Sequence, residues 1–119
     1  MEVWQDAQEL AANIYHDLYE VKDYSFSNQF KRAAVSINNN IAEGAERETD
    51  TDFARFVDIA KGSTKEVRSM YRLGQQLELF THETAEQRSQ ECKHISKQLA
   101  EFTPYLRKGT AKQDSKIAA

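Results

Sequence analysis

Residues 53–77 read FARFVDIAKGSTKEVRSMYRLGQQL. Within them Phe53, Phe56, Ala60, Ser63, Val67, Met70, Gly74 and Leu77 recur at steps of three and four. That spacing puts side chains on one stripe of an α-helix. A strand needs alternation by two, which these residues do not sustain. A helix with one apolar stripe gains its stability by burying that stripe against other elements.

Three more segments offer such a stripe. Upstream, Trp4, Ala7, Ala11, Ile14, Leu18 and Val21 keep the same steps, as do Phe30, Ala34, Ile37, Ile41 and Gly44. Downstream the series is Ala85, Arg88, Cys92, Ile95, Leu99, Phe102 and Leu106. Four stripes can bury one another at small crossing angles, which predicts an all-α, antiparallel, up-and-down four-helix bundle over residues 1–108. The breaks agree. Residues 22–27 interrupt the first pattern, with Ser25 or Ser27 as a cap for the second helix. Residues 44–50 end that helix, and Thr49, Asp50 or Thr51 can cap the third. Thr81 is the natural cap for the fourth. Short connections make successive helices antiparallel. Pro104 is expected to kink or end the fourth helix, and residues 109–119 read as a frayed tail.

Composition narrows the function. The chain has 119 residues, 39% hydrophobic and 29% charged, with 4 Gly and 1 Pro, which suits one helical domain. Its net charge of −3 removes any bulk-charge argument for nucleic acid and leaves only a local patch. Cys92 is the single cysteine, so neither an internal disulfide nor a thiolate zinc site is expected. The opening Met1-Glu2-Val3-Trp4-Gln5-Asp6 lacks the basic start and apolar run of a signal peptide. No apolar run reaches membrane-spanning length. The expectation is a cytoplasmic protein that does not enter a membrane.

Arg32-Ala33-Ala34-Val35-Ser36-Ile37, then Asn40-Ile41-Ala42-Glu43-Gly44, then Phe56 through Ile59-Ala60-Lys61-Gly62-Ser63 and Glu66, form a spaced set of elements. With the opening Val3-Trp4-Gln5 and Ala7, they resemble the four-helix-bundle family whose founding members are encoded in intervening sequences of bacterial 23S rRNA genes. The resemblance covers about residues 3–108. It implies an up-and-down bundle that often assembles into a five-membered ring, with no known enzymatic activity; no cofactor is expected. A distant group, the accessory proteins of diversity-generating retroelements, forms similar rings that engage nucleic acid and a reverse transcriptase. That likeness is at the level of fold. One departure is Asn38, where family members commonly have Pro.

Read as residues, Ser36, Asn40, Glu43, Gly44, Gly62 and Ser63 look structural. Ala33, Ala34, Ser36, Ala42, Gly44, Ala60, Gly62 and Ser63 are small enough for the second and third helices to approach closely, with Gly62 in the contact. Asn40 and Glu43 are placed to satisfy backbone groups where the second helix ends.

Charge suggests where a partner binds. Lys61, Lys65, Arg68 and Arg72 follow steps of four, three and four, and Lys31 and Arg32 add charge on the second helix. These six are the candidate contacts for RNA or DNA phosphates. The bland alternative is a solvated face paired with acids. Residues 1–24 instead hold six acids and one base, which suits a protein-binding adaptor. Arg88 and His94 resemble the Arg-and-His motif of HEPN-type ribonucleases, with Arg88 on the scissile phosphate and His94 as proton shuttle. Glu91 and His94 have the Glu-x-x-His spacing of di-iron bundles, but that chemistry needs two such pairs, so no metal site is expected. No phosphate loop, catalytic triad or dinucleotide fingerprint is present, and no small-molecule substrate is expected. Tyr15, Tyr19, Tyr71, Phe80 and Tyr105 lie at or beyond the stripe edges, with Tyr24 and Phe26 in a connection. They point to a homo-oligomeric interface, and the pentamer is implied by the resemblance alone.

Overall fold

The computed structural model describes the backbone of residues 1–118 and the side chains of residues 1–102. The expectations for Tyr105 and Leu106 concern side chains outside the described residues, whereas the α4 backbone runs in helix past Pro104, which therefore does not end it, and on through residues 109–118, the stretch expected as a tail. Four helices follow one another: α1 (Glu2–Asp17), α2 (Tyr24–Ala45), α3 (Asp50–Gln76) and α4 (His82–Ala118). Among the described residues there is no strand. α2 packs on α3 and α3 on α4, while α1 lies against α2 and, most loosely, against α4. Among the described residues the pairs α1–α3 and α2–α4 make no close backbone approach, so they occupy the diagonals of a square bundle.

The caps follow from side-chain acceptors at each entry. Asp23 Oδ1 accepts from the Phe26 amide at 3.1 Å and starts α2, in place of the expected Ser25 or Ser27. Ser27 is buried instead, and Tyr24 and Phe26 belong to α2 rather than to a connection. Thr49 Oγ1 caps α3 through the Asp52 amide at 3.2 Å. Thr81 Oγ1 caps α4 through the Thr84 amide at 3.1 Å. The α3 exit turns at Glu78, whose φ of 61° is left-handed, and the Leu79 amide returns to the Gly74 carbonyl at 2.9 Å.

The buried stripes keep the predicted period but not every member. On α1 the centre line is Val3, Ala7, Leu10, Ile14 and Leu18, with Trp4 and Ala11 at its edge. On α3 it is Val57, Ala60, Thr64, Val67 and Tyr71, with Ser63 half-buried. Leu77 is exposed because it lies one residue past the end of α3. Tyr71 and Phe80 are core residues, not edge aromatics. Tyr71 is fully buried, with its ring 4.7 Å from Phe30 and 5.0 Å from Phe80. Its hydroxyl finds an acceptor inside the bundle, which lets so large a side chain be sealed from water.

Candidate functional site

The Arg72–Glu86 ion pair, 3.2 Å long and half-exposed, marks the register between antiparallel α3 and α4. Seven and eleven residues back from Arg72 stand Lys65 and Lys61. Seven and eleven residues on from Glu86 stand Lys93 and Lys97. Both sets keep one helical stripe, so Lys65 faces Lys93 and Lys61 faces Lys97 across the seam. Gln90 continues the α4 stripe and bonds Glu86 at 3.1 Å. Lys65, Lys93 and Lys97 are exposed and Lys61 is half-buried. None of the four is in an ion pair among the described residues. Four ammonium groups therefore line one flank of the bundle.

The other predicted cations are spent differently. Arg72 is held by Glu86, whose carboxyl is kept below its ordinary range by the bonds from Gln90 and Arg72. Arg68 is half-buried, with its Nε sealed and unpartnered, close enough to Cys92 for its charge to act on the thiol. Burial nevertheless pushes the Cys92 thiol up to about 12, so it stays protonated and inert at neutral pH. Lys31 lies over the Tyr15 ring at 5.1 Å, on the α1–α2 side. That is the opposite side of the square from the α3–α4 seam. Lys31 and its exposed neighbour Arg32 are thus not joined to the α3 ridge. Lys93 and Lys97, which the sequence reading missed, are. Their signal was present as a second stripe at steps of four, three and four, but pairing it with α3 requires the register.

The motif residues divide into a clamp and a bystander. Ser63 Oγ donates to Ser36 Oγ at 2.9 Å, joining α3 to α2. Asn40 Nδ2 donates to the same Ser36 Oγ at 2.9 Å and to the Ser36 carbonyl at 2.8 Å. Asn40 therefore bonds back one turn and does not cap the end of α2. Glu43 pairs with Arg47 on the surface at 3.3 Å, and it too makes no cap. Gly44 is the close approach: a Cβ there would stand 2.8 Å from Phe56 Cβ and 2.9 Å from Phe53 Cδ2. Gly62 is not, since a Cβ at that exposed position meets nothing within 4 Å. The reason is angular: Ala60 and Thr64 point into the core, which turns Gly62 to solvent.

Arg88 and His94 do not share a site. Arg88 Nε and Nη2 donate to Asp17 at 2.8 and 3.3 Å, and its Nη1 donates to Glu91 at 2.9 Å. Tyr71 Oη donates to the same Asp17 at 2.7 Å. The Asp17 bond raises the Arg88 guanidinium pKa further, and burial with the Asp17 charge raises the Tyr71 phenol. Arg88 and Asp17 are almost sealed, at 14% and 10% side-chain exposure, whereas His94 is 60% exposed. Glu91 and His94, the pair with Glu-x-x-His spacing, both line a cleft between α1 and α4. Beside that cleft, the ligand atoms of Glu2, Asp6 and His94 lie within 4.8 Å of one another.

A square antiparallel helical bundle with an unpaired lysine flank is the class of protein these features define. The chain belongs to the 23S rRNA-intervening sequence protein family, whose model matches residues 1–101. It is similar to a crystal structure of a protein of unknown function from the S23 ribosomal protein family of Bacteroides thetaiotaomicron VPI-5482. The two are 28% identical with a TM-score of 0.80, over 85% of this chain and 97% of that one. Among curated proteins none matches the sequence. No described helix is long and apolar enough to cross a membrane.

Proposed function

We propose that this protein is a non-enzymatic, self-assembling helical bundle that holds nucleic acid by its phosphates along the α3–α4 flank. The observation that carries the reading is the unpaired set Lys61, Lys65, Lys93 and Lys97 on facing stripes. Ammonium groups outside any close ion pair among the described residues are free to displace counterions from a phosphate backbone. Arg72 sits at one end of the row and exchanges Glu86 for phosphate at the surface. The inward commitment of Arg88 supports the non-enzymatic side of the proposal, because a guanidinium tied to Asp17 has little freedom to meet a scissile phosphate. Self-assembly is supported by Tyr15, Tyr19, Tyr24, Ile59, Leu73 and Leu77, all exposed on the single chain. A five-membered ring is the assembly the family resemblance implies, and it would repeat the lysine flank around one axis.

Filter binding of RNA and duplex DNA across salt concentrations tests the nucleic-acid part. Four phosphate contacts per chain give a log–log salt slope of about −3.6 on duplex DNA. The Lys93→Glu/Lys97→Glu double variant brings the slope to about half that or less. Retention that is absent at low salt, or that is indifferent to the double variant, rejects the ridge. Sedimentation of the same samples tests assembly: a species of one chain at micromolar concentration rejects it.

A further inference from the structure

On the opposite flank of α4 the chemistry reverses. Glu2 and Asp6 lie one turn apart on α1, and His94 reaches toward them from α4. His94 Nε2 is 3.5 Å from Asp6 Oδ2. A tetrahedral ion with bonds of about 2.0–2.1 Å separates its ligands by roughly 3.4 Å, so this edge already has the right length. Glu2 is an exposed side chain with rotamers free to close the remaining distance.

A second observation points to a missing cation. Gln98 Nε2 stands 2.9 Å from Asp6 Oδ2 and 2.8 Å from His94 Nε2. It fills the place between an anionic oxygen and a ring nitrogen where a positive ion would sit. Its own Oε1 is buried with no partner. Gln98 thus spends its donor between Asp6 and His94 and leaves its own acceptor unused, an arrangement in which an ion could take the donor's place. A rotamer change that withdraws the Gln98 amide and turns Oε1 toward the pair clears the ion's place and gives that orphaned oxygen a ligand's role.

We propose that Glu2, Asp6 and His94, completed by Gln98 Oε1, bind one divalent transition-metal ion of the Zn2+ type between α1 and α4. A neutral imidazole with carboxylate and amide oxygens suits Zn2+, Co2+ or Mn2+ better than a thiolate-seeking ion. The ion would join the loosest pair of helices in the bundle. The site is separate from the lysine flank, so it stands or falls independently of nucleic-acid binding.

The test is calorimetric titration of tag-free, full-length protein with ZnCl2, paired with visible absorption on adding CoCl2. The expected result is one ion per chain, a Co2+ spectrum of nitrogen and oxygen ligation without a thiolate band, and a rise in melting temperature. His94→Ala and Glu2→Gln each weaken Zn2+ binding at least roughly tenfold. Both positions are exposed, so circular dichroism of the variants should match the parent. Absence of saturable binding, or equal affinity in His94→Ala, overturns the site. So does a solution mass that changes in His94→Ala without any Zn2+ binding by the parent, because the cleft then accepts a cationic side chain of another copy.

Discussion

α4 meets α3 along one flank and α1 along the other, and the two seams are held by different means. Against α3 the contact is long and apolar, its surface bridge Arg72–Glu86 is half-exposed, and Lys93 and Lys97 are left pointing outward. Against α1 the contact is sparse, because α1 has 16 residues where α3 has 27. There polar ties replace area: Asp17 joins Arg88 and Tyr71, and Gln98 joins Asp6. One helix carries both programmes in parallel stripes. Glu86, Gln90, Lys93 and Lys97 run along one side, and Arg88, Glu91, His94 and Gln98 along the other. Ala85, Cys92, Ile95 and Leu99 run between them in the core. A seam with ample apolar area can leave its charges free for a partner. A seam short of area turns its charges inward.

The sharpest way to break that contrast is to remove the inward charge. Asp17→Ala leaves the Arg88 guanidinium and the Tyr71 hydroxyl in the bundle without their shared acceptor. Breaking a nearly buried pair from one side costs about 3–5 kcal/mol. Urea denaturation should register that loss as a lower midpoint with little change in slope. A cost under about 1 kcal/mol, the range of exposed pairs, would mean the α1 seam is no different from the surface bridge. The corresponding cut on the other flank, Glu86→Gln, should alter stability by less than about 1 kcal/mol.

Next in size is a probe of packing where area does dominate. At Gly44 an added methyl meets Phe56 Cβ, an atom fixed to the α3 backbone, as well as the Phe53 ring. Gly44→Ala should destabilise by about 1–3 kcal/mol, net of the better helix propensity of Ala. A variant more stable than the parent would show that α2 and α3 have slack, and the area argument would lose its basis.

How much of this was legible beforehand follows the same division. The stripes, the Thr49 and Thr81 caps and the four-helix architecture depend on local spacing and local acceptors, and the sequence carries both. The depth of Tyr71 was hidden because its neighbour Met70 fits the same stripe. Only the acceptor on Asp17, 54 positions away, lets the tyrosine go inside. Of the six predicted nucleic-acid contacts, Lys61 and Lys65 stand free, Arg72 is paired at the surface, and Arg68 is drawn toward the core. Lys31 and Arg32 belong to another side. The missing members, Lys93 and Lys97, needed knowledge of which residues face each other across two helices. The cleft around Asp6 and His94 required a contact between positions 88 apart, which no local pattern encodes.

Gly62 offers the smallest effect and a reversal of sign. The small residues Ala60, Gly62 and Ser63 suggested that this glycine was needed for close approach, which would make any larger residue costly. The structure turns it outward on α3, beside Lys61 on the lysine flank, with helical φ and open space where a Cβ would go. Nothing is then lost by adding a methyl, and the unfolded chain loses freedom it no longer has to surrender. Gly62→Ala should therefore stabilise by up to about 1 kcal/mol, read as a small rise in melting temperature. Nucleic-acid retention should be unchanged, because the four ammonium groups keep their places. A loss of stability would mean that another copy of the chain packs closely on this face, which would cover part of the lysine flank and bar it from phosphate.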